Sequence, residues 1–185
     1  MFLKAPRGMR SPAVRAERLA MLETVESVQM LREWGAGLTT RWGPGTFLPH
    51  FDPAEAGIEA RVLIVAEAPG PKTNPRTSAT SSGFVSVDND DPTAENAWRL
   101  RAEAGLHDGV LLWNIVPWSL GAASVKPTPY DLARGAAALR ELLDLLPELQ
   151  VVLLAGRAAQ RGWNTHLSGY RKRDLTVIPT WHFSN

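Results

Sequence analysis

The sequence predicts an α/β fold: a three-layer αβα sandwich around a central four-stranded parallel sheet. Three observations carry this. Four short apolar runs, Val62 to Val65, Val110 to Trp113, Val151 to Leu154 and Leu175 to Pro179, recur along the chain. Each is continuous rather than alternating, as in strands buried on both faces. Helical periodicities separate them, and strand–helix–strand alternation places helices on both faces of a parallel sheet through right-handed crossovers.

Composition bounds the rest. At 185 residues the chain can bury the core of one domain, with residues 1–60 read as an N-terminal helix and loop extension. Lys plus Arg total 20 against 19 Asp plus Glu, a net charge of +1, so nucleic-acid binding would need a local patch. There are no cysteines. That excludes disulfides, Cys-ligated zinc and Cys-ligated iron–sulfur clusters, and fits a reducing compartment. Lys4, Pro6, Arg7 and Gly8 stand where a signal peptide needs an apolar run. No stretch approaches the ~18 apolar residues of a membrane span. A soluble, cytoplasmic monomer is the expectation.

Residues 12 to 34 predict the first helix, with Leu19, Leu22, Val25, Val28, Met30 and Leu31 among charged residues. Gly35 to Pro53 reads as loop, and so do residues 68 to 91, rich in Pro, Gly, Ser, Thr and Asn. So long a loop inside a compact domain is uncommon and usually functional. Asp91-Pro92 predicts an N-cap and first helical position, the helix running to about Ala104 and stopping at Gly105. Thr128-Pro129-Tyr130-Asp131 reads as a capping box with Asp in place of Glu or Gln. The helix behind it sets Leu132, Ala136, Leu139, Leu143 and Leu146 on one face. Gly156 opens a short helix to Trp163.

In such sheets the chemistry sits beyond the carboxyl ends of the strands. The first strand runs into Ala66-Glu67-Ala68-Pro69-Gly70-Pro71, a tight turn presenting a carboxylate and backbone N–H groups; alone, it is more often just a Glu in a turn. The second ends at Asn114, whose amide both donates and accepts, although a lone Asn there usually serves its own backbone. The fourth leads to His182, and a lone His is more often structural than catalytic. Phe84 lies in the long polar loop, either as an anchor or as a stacking platform.

All four fall on one predicted edge, and there the chain resembles the uracil-DNA glycosylase superfamily. It looks closest to the branch with a Gly-Glu-Ala-Pro-Gly first motif, here Ala66-Glu67-Ala68-Pro69-Gly70. The Phe-Val-Gly segment is matched by Phe84-Val85-Ser86, Asn-Val-Val by Asn114-Ile115-Val116, the Thr-Pro helix start by Thr128-Pro129, and the strand-then-Gly segment by Leu153 to Arg157. The closing His-Pro-Ser becomes His182-Phe183-Ser184. The likeness spans roughly residues 60 to 185. That branch carries four cysteines for an iron–sulfur cluster, so this chain resembles it as a cluster-free relative.

The resemblance implies an enzyme that flips the target nucleotide into a pocket, hydrolyses the base–sugar bond of uracil in DNA and releases free uracil. By resemblance Phe84 stacks on the base, with Ala66 and Ala68 also lining the base pocket. Asn114 reads the uracil edge, and cytosine, its pattern reversed, leaves buried groups unpaired. His182 donates to the developing oxyanion, and Glu67 orients or deprotonates water or faces the cationic sugar. No metal or organic cofactor is required.

For DNA contacts, Pro69, Gly70, Lys72, Arg157 and Ser184 are the candidates. Arg157, Arg161, Arg171, Lys172 and Arg173 form a stretch without acids, read either as a phosphate-binding patch or as a solvated face and turn. The run Asp88 to Asp91 lacks the ligand spacing of a calcium loop and reads as a helix-capping loop. Other readings are a glycosylase for another lesion, such as mismatched thymine or hypoxanthine, and a non-catalytic DNA-binding module of the same fold. A nucleotide-binding α/β enzyme ranks low, since the Gly-rich phosphate loops are missing.

Overall fold

The computed structural model describes residues 3–43, 45–76, 78–121, 125–172 and 174–184. In chain order it holds α1 (Pro12–Met21), α2 (Glu26–Trp42), β1 (His50–Phe51), β2 (Val62–Ala66), β3 (Phe84–Val85), α3 (Pro92–Glu103), β4 (Val110–Asn114), α4 (Pro129–Asp144), β5 (Val151–Ala155), α5 (Arg157–His166) and β6 (Thr176–Thr180). The four predicted strands make one all-parallel sheet in the order β4-β2-β5-β6.

The register explains why the strand sequences are apolar throughout. Leu63, Leu111 and Val152 pair across the sheet, as do Val65, Trp113 and Leu154, and all face one large core with Leu132, Leu139, Leu142 and Leu143 of α4. The intervening residues Ile64, Val110 and Ala155 form a second cluster on the opposite face, with Leu106 just after α3. Burying a Leu or Val fully is worth about 1.5–3 kcal/mol, so this two-sided arrangement dominates the stability. Edge strand β6 is largely exposed and carries Pro179, which a central strand would not accept.

Helix starts follow the sequence closely. Asp91 accepts from the Ala94 N–H at 2.9 Å, and Gly105 ends the turn after α3 at φ +66°. Thr128 accepts from the Asp131 N–H at 3.1 Å while Asp131 accepts from the Thr128 N–H at 2.9 Å, closing the capping box. Such caps contribute about 1 kcal/mol each.

The N-terminal region differs from expectation. The predicted single helix is two, parted by the Thr24–Val25 turn, and α2 runs on through Gly35 and Gly37 to Trp42 where a loop was expected. Tertiary packing outweighs the two glycines: Leu31, Leu38, Trp34 and Trp42 all turn onto the core. Trp34 and Arg41 both bind Glu141, tying α2 to α4. The expected loop 68 to 91 also contains a single helical turn, Pro71–Thr73, and β3, which pairs in parallel with β1.

Candidate active site

The carboxyl ends of β2, β4 and β6 meet in a cleft of about 530 Å³. Two hydrogen bonds fix the first two ends against each other. Asn114 pairs with Ala66 in the ladder, and then the Ile115 N–H donates to the Ala66 carbonyl at 2.8 Å and the Val116 N–H to the Glu67 carbonyl at 3.0 Å. Helix α4 comes so close at Gly135 that any Cβ there would strike the Ile115 carbonyl. Glu67 and Asn114 thus stand side by side on rigid backbone.

Asn114 is 4% exposed, lines the cleft and has no side-chain hydrogen bond among the described residues. Its amide is therefore available to a ligand, and a buried amide left unpaired costs about 1–3 kcal/mol. Glu67 accepts from Lys126 at 3.0 Å.

His182 hangs from the end of β6 in a local hydrogen-bonded loop. The Ser184 N–H donates to its Nδ1 at 3.0 Å, and the Ser184 hydroxyl lies 2.7 Å from the same nitrogen. A nitrogen that accepts a backbone N–H cannot carry a proton, which assigns the Nε2–H tautomer. Burial lowers the His182 pKa below its usual 6.5; Glu67 opposes that shift and Lys126 adds to it. The ring rests against Gly156, whose φ is +89°. From α3, Asn96 donates to the Phe183 carbonyl at 2.8 Å and pins the His182 loop to the far wall of the cleft.

The cleft gathers Glu67, Asn114, His182, Ala66, Ala68, Pro69, Gly70, Lys72, Arg157 and Ser184. It does not gather Phe84. That ring is completely buried in a separate cluster with Met9, Leu22 and Val28, and the same segment presents Val85 and Ser86 to the cleft instead. The reason is β1: pairing with His50 draws Phe84 under the N-terminal helices. Among the described residues lining the cleft, Phe183 packs on the Ile64–Ala155 face of the sheet, while the Trp113 ring is stacked on Phe51 in the large core.

The basic stretch 157 to 172 largely serves the fold. Arg161 donates to the Pro127 carbonyl, Arg171 to the Ser168 and Tyr170 carbonyls, and Lys172 to the carbonyls of Leu143 and Leu146 at and just past the end of α4. Only Arg157 of this group borders the cleft; Arg173 lies outside the described residues. The Asp88 to Asp91 run is likewise absorbed: Asp88 pairs with Arg18, Asp90 with Arg7 and Arg10, and Asp91 caps α3. Sequence reasoning missed Lys126, which stands two residues before the capping Thr128 with nothing around it to mark it.

The family model of the uracil DNA glycosylase superfamily matches residues 53–185, well over half the chain. The chain belongs to the uracil DNA glycosylase superfamily. No curated protein matches it. The matched region takes in every cleft residue named above, so superfamily membership and the converging strand ends concern one and the same edge of the sheet. Membership supports a DNA glycosylase. None of the helices described is long and apolar enough to cross a membrane.

Proposed function

We propose that the protein is a monofunctional glycosylase that hydrolyses the N-glycosidic bond of uracil in DNA, leaving an abasic site and free uracil. The observation that carries the reading is the His182 tautomer. Neutral, with Nδ1 occupied by Ser184, the ring has one donor left, Nε2–H, beside a carboxylate and an open buried amide.

Those three groups match the demands of the reaction. The base must leave the stack to be reached. Asn114 accepts from the uracil ring N–H and donates to the adjacent carbonyl, a pattern cytosine cannot answer. As the C1′–N1 bond breaks, its electron pair moves onto the base, and His182 Nε2–H donates to the carbonyl oxygen where that charge collects. Glu67 faces the electron-poor sugar and accepts a hydrogen bond from the water that adds at C1′. The water gives up a proton and the departing uracil takes one up. Lys72, Arg157, Pro69 and Gly70 border the opening as candidate DNA contacts.

The test is cleavage of end-labelled oligonucleotides with one uracil opposite Gly, opposite Ala or single-stranded, developed with hot alkali. Scission at uracil alone is expected, and Asn114→Ala abolishes it. Scission only of parallel oligonucleotides carrying mispaired thymine or hypoxanthine reassigns the lesion. Tight binding without scission at any base would make the protein a DNA-binding module.

A further inference from the structure

Lys126 is a cation placed where the chemistry wants none. Its Nζ lies 3.0 Å from Glu67 Oε1, with the Lys126 side chain 73% exposed and that of Glu67 24%. If Glu67 faces a sugar that becomes cationic, an ammonium at hydrogen-bond distance cancels much of the field the carboxylate supplies. In the free protein the carboxylate is therefore paired with a cation.

We propose that Lys126 is a phosphate-binding residue that exchanges Glu67 for a phosphate flanking the flipped nucleotide, so that DNA binding itself uncovers the carboxylate. The inference rests on the reading of Glu67 given above. When a nucleotide flips, its base enters the pocket and its two phosphates stay at the rim, where Lys126 stands. The exchange trades one ion pair for another, with no net change in charge.

The local build suits such a movement. Lys126 is followed by Pro127, Thr128 and Pro129, and the capping box fixes Thr128 on α4. Arg161 of α5 donates to the Pro127 carbonyl at 3.1 Å. The backbone is thus anchored from two helices while the ammonium at the end of the flexible stem stays in solvent. A lysine, as a point charge on a long stem, can pass between two anions without the planar match an arginine needs.

The experiment measures binding of the full chain to a duplex carrying a tetrahydrofuran abasic-site analogue, by fluorescence anisotropy from 50 to 200 mM salt. For Lys126→Met the slope of log K against log salt becomes shallower by about 0.9, the share of one phosphate contact. The variant thus loses roughly 3-fold less affinity over that range, and Lys126→Arg restores the slope. Glu67→Gln tightens binding in the otherwise native chain, because the lysine no longer has a pair to break, and leaves affinity unchanged in the Lys126→Met background. An unchanged slope in Lys126→Met overturns the proposal. A Glu67→Gln gain of equal size in both backgrounds also overturns it, since the carboxylate would then be repelling DNA directly. Failure of the glycosylase reading looks different: native protein that binds the duplex with the Lys126-dependent slope yet cuts no uracil. Native protein that binds no DNA overturns both.

Discussion

A Cβ added at Gly156 would lie 2.9 Å from the Cβ of His182 and 3.1 Å from its Cδ2. The first residue after β5 therefore fixes where the imidazole at the end of β6 can stand. Gly156 also has φ +89°, so Gly156→Ala adds backbone strain, on the order of 1–3 kcal/mol, to the clash. The imidazole must shift from its place in the cleft to relieve the clash. Single-turnover excision by Gly156→Ala is expected to fall toward the level of His182→Ala, about 10²–10³ below native. Native-like rates from folded Gly156→Ala would detach His182 from the chemistry.

The same histidine sets a pH profile. Burial holds its pKa below 6.5, so the neutral donor persists from alkaline pH down through 6.5, and excision declines only further into acid. The neighbouring charges give the sign of two variants. Glu67 raises the pKa, so Glu67→Gln moves the acid limb to lower pH. Lys126 lowers it, so Lys126→Met moves the limb up, toward 6.5. Rates of the active Lys126→Met enzyme between pH 5 and 8 check this, and a limb that moves down would contradict the assignment.

The sheet and the cleft were legible in the sequence because both follow from local rules. Four apolar runs, each short and rich in branched residues, read as buried strands, and parallel strands bring their carboxyl ends to one edge, which is where Glu67, Asn114 and His182 meet. Phe84 was not legible, because the two-residue pairing with His50 leaves no period to read. Lys126 was hidden for the same kind of reason: its partner Glu67 is 59 residues away in sequence. The end of α2 was misread since Gly35 and Gly37 suggest a break that core packing overrides.

The segments that follow β1 and β3 are held by buried charge, which makes a further expectation. Arg101 Nη1 lies 2.6 Å from Glu55 Oε1, and Arg18 bridges Asp52 and Asp88. Burial raises Glu55 from 4.5 to about 7 although Arg101 pulls it down, so the folded chain holds a proton there that the unfolded chain releases between those values. That contribution to stability is lost as pH rises through the window. Arg101→Met removes the opposing charge and raises the Glu55 pKa further. It should cost about 3–5 kcal/mol at pH 8, where the native chain holds the ionised pair that the variant cannot form, and less at pH 6, where Glu55 carries a proton in both. Denaturant titrations at the two pH values decide it, and an equal cost at both would refute it.

Phe84 offers the sharpest contrast between sequence motif and fold. A ring that stacks on a flipped base would affect excision more than stability; a fully buried ring does the reverse. With its ring enclosed by Met9, Leu22 and Val28, Phe84→Ala is expected to destabilise the protein by about 3–5 kcal/mol through the cavity it leaves. Phe84→Leu keeps most of the volume and the apolar surface. It should fold with a modestly lowered Tm and excise uracil within several-fold of native. Thermal melts paired with single-turnover rates on both variants separate the two roles. A Phe84→Leu protein with native Tm and excision lowered a hundredfold would return Phe84 to the base, which would require β3 to move when DNA binds.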